Sequence, residues 1–82
     1  MNNIKKLSEL LPNEIGKVFS INSRPEIRRR LLDMGLVPGT FVTCAFKSPW
    51  NDPSAYLIRG ALVALRKEDA DEIFVACEIG GV

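Results

Sequence analysis

Two cysteines and a short acidic run are the residues whose chemistry comes closest to catalysis or metal binding. The chain contains no histidine, which is the usual general base and the commonest metal ligand. Neither cysteine therefore has the imidazole partner that activates a nucleophilic thiolate. The acidic run, Glu68 to Glu72, lacks the alternating ligands and central glycine of a calcium-binding loop. We predict no catalytic residue, no metal site and no cofactor, and interpret the chain as a non-enzyme.

The cysteines also indicate the cellular compartment. Two thiols are too few for a disulfide framework, and their wide separation does not match a metal-binding motif. We expect Cys44 and Cys77 to be small buried residues of a protein in a reducing cytoplasm. No apolar run approaches the ~20 residues that a transmembrane helix needs, and the leucines after Lys6 are interrupted by polar residues, unlike a signal peptide. The sequence predicts a cytoplasmic chain without direct membrane insertion.

A basic run and a single tryptophan are the clearest candidates for binding a partner. Arg28 and Arg29 begin a run of three arginines, but successive helical positions point about 100° apart, which favours solvated side chains over one patch. Trp50 lies in the turn-forming segment Lys47–Ser54, where it either covers one end of the core or anchors an interface. Asp52 precedes a proline, a pair that initiates turns. The candidate partner-binding residues are Arg28, Arg29, Leu36, Trp50 and Asp52.

One helix is predicted to position the arginines. Ser23 and Glu26 match a capping box, in which Ser23 would cap the helix while Glu26 reaches back to it. An apolar stripe at helical spacing then predicts a helix over Pro25–Met34. Gly35 fits the left-handed position that ends a helix, with Leu36 able to fold back on the last turn.

The rest of the chain predicts short strands separated by turns. Pro38–Gly39 is a type II turn signal, and Arg59–Gly60 is the bend between two apolar segments. The five predicted strands are Ile15–Ile21, Thr40–Phe46, Ala55–Ile58, Ala61–Leu65 and Ile73–Cys77. The 82 residues predict one domain, with a core over about 5–78 and a frayed tail at 79–82. We predict a mainly β protein, a small five-stranded barrel with one inserted α-helix, because closure removes sheet edges.

Four segments, in the same order, resemble motifs of the FeoA family. Arg30–Thr40 resembles the family signature RLxxLGLxPGT, and Ser48–Pro53 resembles its loop motif ending in Asp-Pro. Arg59–Arg66 is similar to the family's RGxxxALR segment, and Ala70–Val75 resembles its ending. Each match is modest alone, but four in order are specific.

The resemblance implies an SH3-like β-barrel and an accessory role in ferrous iron uptake. The implied partner is FeoB, a large membrane protein that carries a GTP-binding domain and moves ferrous iron. A related domain ends iron-dependent transcriptional repressors, but we expect no helix-turn-helix in this chain and therefore no DNA reader for a repressor role. Asn13 replaces a common family glycine and Met34 a common leucine, and both substitutions are compatible with the assignment.

Other binding functions remain open from the residues themselves. A nucleic-acid module would need a coherent basic face and stacking aromatics, which a net charge of +1 and one tryptophan do not favour. A module for proline-rich peptides would need an aromatic-lined groove, and Trp50 and Tyr56 are few aromatic residues to form one. A direct iron carrier is weakened by the absence of histidine.

Overall fold

Runs of β-branched and aromatic residues, separated by turns rich in glycine, proline and asparagine, form six strands. The computed structural model describes residues 2–50 and 52–78, so the predicted frayed tail at 79–82 lies outside the described residues. The strands are β1 (Asn2–Lys6), β2 (Ile15–Ile21), β3 (Phe41–Lys47), β4 (Ser54–Ile58), β5 (Ala61–Leu65) and β6 (Ile73–Glu78). The helices are α1 (Pro25–Asp33) and α2 (Lys67–Ala70), and a 3-10 turn spans Leu7–Glu9.

The predicted count of five strands was one too low. Each predicted strand is present with both ends within one residue of the expected position, but β1 precedes them. The sequence of β1 is NNIKK, with a single apolar residue and no alternation that would identify a strand. It exists because its backbone pairs antiparallel with β6, where Asn3 lies opposite Cys77 and Lys5 opposite Val75. Because β1 pairs with a strand near the other end of the chain, no local sequence pattern indicates that it is a strand.

All strands pair antiparallel in one sheet, in the order β1-β6-β2-β3-β4-β5. The mainly β class is therefore confirmed. Bulges between Val18 and Ser20 in β2 and between Cys44 and Phe46 in β3 bend the sheet around one core. Within residues 2–50 and 52–78 no ladder joins β1 to β5, so the barrel is open and these two strands are its edges.

The bulge in β2 changes which side chains of the strand point inward. Simple alternation along Ile15–Ile21 predicts Ile15, Phe19 and Ile21 on one face with Lys17. In the structure Ile15, Lys17 and Phe19 are exposed, whereas Ile21 is buried with Val18. The extra residue in the ladder shifts the phase of the strand by one, which turns Ile21 inward.

The core lies between the inner face of the sheet, α1 and the 3-10 turn. Leu7 and Leu10 enter it from the turn and Leu31 from the helix, each no more than 2% exposed. Cys44 and Cys77 are buried free thiols, as the sequence predicted, and burial raises the pKa of both. The fully buried side chains also include Leu36, Val42, Tyr56, Ile58, Ile73 and Val75.

The predicted capping box at the start of α1 is wrong. The N-cap residue is Arg24, which is extended at φ −60° and ψ 155°, and no side chain caps the helix. A residue before proline is driven out of the helical region, so Pro25 delays the helix start by one position. Ser23 thus lies outside the helix, and its buried Oγ makes no hydrogen bond to the described residues.

The predicted end of α1 is confirmed in detail. Gly35 has φ +106°, and its N–H donates to the Leu32 carbonyl at 2.9 Å. The N–H of Leu36 donates to the Leu31 carbonyl at 3.1 Å, completing a Schellman motif. Leu36 and Leu31 are both buried in the same core, which is the hydrophobic contact that accompanies this motif.

The two predicted turns are also present. Pro38–Gly39 forms the centre of a turn closed by the N–H of Thr40 and the carbonyl of Val37 at 2.9 Å, with Gly39 at φ +96°. Arg59–Gly60 joins β4 to β5 with positive φ at both residues, +50° and +82°. This is the two-residue hairpin geometry that matches the twist of paired strands.

Replacement of Gly35 by valine should destabilise the protein. A β-branched residue at φ +106° is strained by about 1–3 kcal/mol, and a Cβ at this position would lie 3.2 Å from Cγ2 of Ile58. Gly39→Val is the matched control, because its φ is similar and nothing lies within 4 Å of the added Cβ. Urea unfolding should show both variants destabilised and Gly35→Val more so. Equal midpoints for wild type and Gly35→Val would contradict the role of Gly35.

Candidate functional site

The loop between β3 and β4, described at residues 48–50 and 52–53, carries the most exposed large apolar side chain among the described residues. The loop is held by its own polar groups: Ser48 Oγ accepts from the Asp52 N–H at 2.8 Å, and the Ser48 N–H donates to the Pro53 carbonyl at 3.4 Å. At its base, Lys47 Nζ donates to the Ser8 carbonyl at 2.8 Å. Trp50 is 85% exposed and covers no part of the core. Of the two roles that the sequence left open for Trp50, covering one end of the core is therefore wrong.

Asp52 connects the loop to the segment that follows β5. Its Oδ1 accepts a hydrogen bond from the Lys67 N–H at 2.9 Å, at the first residue of α2. One carboxylate oxygen thus satisfies a helix N–H that has no partner within α2. Ser54, which follows the loop, pairs with Leu65 at the end of β5. The loop, the end of β5 and the start of α2 are therefore neighbours.

Leu36 does not belong to any exposed site. Its place beside the end of the helix suggested a partner-binding residue, but it is 0% exposed and lies in the core. The Schellman motif turns the chain at Gly35 and directs Leu36 into the core. The next residue, Val37, is 39% exposed.

Arg28 and Arg29 are exposed on α1, a different element from the loop that carries Trp50. They border shallow depressions formed by α1 itself, together with Pro25 and Asp33. A separate groove lies between the two helices, where Arg30 faces the segment that starts at Arg66. The predicted site residues therefore divide into one group on α1 and one on the loop.

An apolar row on the outer face of the sheet was not identified from the sequence. Ile15, Thr43, Leu57 and Leu62 lie directly opposite one another across β2, β3, β4 and β5. The three aliphatic members are 43–58% exposed. Strands with apolar residues on both faces could have indicated an exposed apolar surface. Only the strand order shows that these four residues form one row. We call it the outer apolar row.

The acidic run around α2 is occupied by internal contacts. The Asp71 carboxylate accepts from the Ser8 hydroxyl and pairs with Lys67 Nζ at 2.9 Å. These two contacts, the hydroxyl first, hold the pKa of Asp71 below its usual range. Among the described residues, no three His, Cys, Asp or Glu side chains surround a common position for a metal ion.

Ion pairing elsewhere links β1 to the residue that precedes β2. Glu14 accepts from the Leu11 N–H at 2.9 Å and pairs with Lys5 Nζ at 2.9 Å. The backbone hydrogen bond and the ammonium lower the pKa of Glu14. Neither helix in the part of the chain described is long and apolar enough to cross a membrane.

The family model for the FeoA domain matches residues 5–77. The chain is 37% identical over 70 residues, 85% of its length, to the Fe(2+) transport protein A/Fe(2+) transporter FeoB fusion protein of Porphyromonas gingivalis. It spans only 8% of the length of that protein.

Solved structures show the same fold. The FeoA-like protein of Clostridium acetobutylicum is 33% identical with a TM-score of 0.86, covering 100% of this chain and 95% of that one. FeoA of Stenotrophomonas maltophilia, described as a procaryotic SH3 domain protein in complex with zinc, is 29% identical with a TM-score of 0.77. Coverage there is 87% of this chain and 88% of that one. The SH3-like class expected from the sequence agrees with this likeness.

Proposed function

The chain belongs to the FeoA family, and from that premise we propose that it is a non-enzymatic accessory protein of ferrous iron uptake. It binds the cytosolic part of a FeoB-type membrane transporter and modulates it. The chain itself stays in the cytoplasm and is recruited to the inner face of the membrane by that partner.

The observation that carries the proposal is the fusion protein of Porphyromonas gingivalis. Its name joins a Fe(2+) transport protein A to a Fe(2+) transporter FeoB in one polypeptide. Fusion raises the effective concentration of one module around the other, which benefits a pair that acts by contact. The same contact between separate chains requires a surface with its own affinity.

The loop at residues 48–53 supports such a surface. Trp50 presents a large, rigid apolar side chain to solvent, the type of residue that dominates binding energy at interfaces. Pro49 and Pro53 restrict the loop, and the Ser48–Asp52 hydrogen bond fixes it, so less conformational entropy is lost on binding. Asp52 keeps the loop against α2. Arg28 and Arg29 supply exposed positive charge on the other helix, α1.

A direct binding measurement tests the proposal. We expect the purified, tag-free chain to bind the cytosolic part of the FeoB-type transporter from the same organism saturably, because loop and helix are exposed in the free chain. Biolayer interferometry supplies the affinity, and competition by unlabelled chain is the control for specific binding. The full-length transporter in lipid nanodiscs is titrated in parallel. Absence of binding to both forms, with circular dichroism showing a folded chain, would reject the proposed partner.

A further inference from the structure

Five residues close a ring of polar contacts at the base of the loop between β3 and β4. Lys47 Nζ donates to the Ser8 carbonyl at 2.8 Å, and the Ser8 hydroxyl donates to the Asp71 carboxylate. Lys67 Nζ pairs with the same carboxylate at 2.9 Å, while the Lys67 N–H donates to Asp52 Oδ1 at 2.9 Å. Because Lys47 precedes the loop and Asp52 lies near its end, the loop itself completes the ring. We call these five residues the polar ring.

The polar ring joins segments that are far apart in sequence. Ser8 belongs to the 3-10 turn, Asp71 follows α2, and Lys47 ends β3. Ser8 uses a different group for each contact, since its hydroxyl donates and its carbonyl accepts. Asp71 likewise receives Ser8 on one carboxylate oxygen and Lys67 on the other. No contact substitutes for another, so the loss of one opens the ring at that point.

The contacts of the ring differ in strength. The Lys67–Asp71 ion pair is exposed, at 60% and 28% of the two side chains, and exposed pairs contribute little. The bond from the Ser8 hydroxyl to Asp71 is partly buried and has an ionised acceptor, which makes it the stronger contact. The backbone of α2 also connects the two ends, because the Asp71 N–H donates to the Lys67 carbonyl at 2.8 Å. The main connection therefore runs from Ser8 through Asp71 and α2 to Asp52.

The helix α2 depends on contacts at both of its ends. It has only four residues, and a helix of this length is not stable without tertiary contacts. Asp52 accepts from its first N–H, Ala70 is buried in the core, and its C-cap residue Asp71 is bound by Ser8. The 3-10 turn thus helps to place α2, and α2 helps to place the loop.

Trp50 is positioned by the loop backbone. Its side chain is 85% exposed, so packing against the core does not hold it. Lys47 and Asp52 stand on either side of it in the chain, and the polar ring fixes both to the body of the domain. An interface anchor that is held before binding loses less conformational entropy when the partner docks.

We propose that Ser8 and Asp71 are positioning residues for Trp50, which hold the loop through the polar ring in the conformation that meets the FeoB-type transporter. This inference rests on the proposed function. The two residues act through the loop and not by contact with the partner. Because such coupling is reciprocal, partner binding at the loop also stabilises the 3-10 turn in its place.

Backbone motion of Trp50 in the free chain is the first test. Asp71→Ala removes the carboxylate that Ser8 and Lys67 contact, and Ser8→Ala removes the hydroxyl alone. We expect the Trp50 amide order parameter from NMR relaxation to be about 0.85 in wild type and below about 0.6 in Asp71→Ala, with a smaller fall in Ser8→Ala. Ser8→Thr keeps a hydroxyl and should restore the wild-type value. Glu68→Ala is the matched control, since it removes an exposed carboxylate of α2 that lies outside the polar ring.

Affinity for the transporter's cytosolic part is the second test. We expect Asp71→Ala to bind about fivefold or more weakly and Ser8→Ala about threefold or more weakly. Ser8→Thr and Glu68→Ala should each change affinity by less than about twofold. When Trp50→Ala is already present, Asp71→Ala should weaken binding by less than about twofold, because the side chain that it positions is gone. Circular dichroism checks that every variant folds.

The outcomes separate the inference from its premise. Wild type that binds no form of the transporter overturns both. Wild type that binds, with the same Trp50 order parameter in wild type and Asp71→Ala, overturns the positioning role and leaves the proposed function standing. Equal losses of affinity from Asp71→Ala with and without Trp50 would have the same meaning, since the residue would then act independently of the loop. If Asp71→Ala does not fold, the comparison of Ser8→Ala with Ser8→Thr decides in the same way.

Discussion

Replacing Leu36 with alanine is expected to lower the free energy of unfolding by about 2–5 kcal/mol, because a fully buried leucine leaves a cavity when truncated. Leu36 is 0% exposed and shares the core with Leu31 and Ile58. A domain of this length has a total stability of about 4–12 kcal/mol, so the loss is a large fraction of it. Urea unfolding followed by circular dichroism measures the change.

Val37→Ala is the matched control for this prediction. Val37 is the next residue and is 39% exposed, so its truncation should cost less than about 1 kcal/mol. The two variants also separate the structural role of Leu36 from the binding role that the sequence suggested. If Leu36→Ala kept its full stability and lost affinity for the transporter, the residue would face the partner and its burial would not persist in solution.

Local chemistry explains which parts of the fold were predictable. Gly35, Gly39 and Gly60 all have positive φ, and in each case the neighbouring residues alone indicated a helix end or a turn. The predicted capping by Ser23 is wrong for a local reason too, since Pro25 restricts the residue before it and moves the N-cap to Arg24. A capping motif therefore predicts a helix start only when the restriction by a following proline is included.

Non-local pairing explains which parts of the fold could not be predicted from the sequence. β1 is too polar to be identified as a strand and depends on β6, at the other end of the chain. The bulge between Val18 and Ser20 depends on how β2 meets β6, and no residue type in β2 signals it. Both errors concern contacts between segments that are distant in sequence, which periodicity within one segment cannot detect.

The candidate site also has parts that the sequence predicts and parts that depend on non-local pairing. The loop was predicted from its prolines, but exposure of Trp50 depends on whether the loop folds back over the core. β5 was predicted with the correct ends, yet its position at the edge follows from the strand order β1-β6-β2-β3-β4-β5. The outer apolar row likewise exists only once β2, β3, β4 and β5 are neighbours. Strand order, more than strand position, determines the surface available to a partner.

Trp50→Ala is expected to weaken binding to the transporter's cytosolic part by about 1–3 kcal/mol, a loss of about 5–150-fold in affinity. The side chain is 85% exposed in the free chain, so its removal should leave the fold and its stability nearly unchanged. Biolayer interferometry gives the affinity, and circular dichroism with urea unfolding gives the folding control. A loss of affinity without a loss of stability is the signature of an interface anchor.

Phe19→Ala is the matched control for Trp50→Ala. Phe19 is also an exposed aromatic residue, at 60%, but it lies on β2 and not in the loop. We expect its truncation to change affinity by less than about threefold, because a side chain outside the interface contributes little. Equal affinities of wild type and Trp50→Ala would remove the loop from the interface.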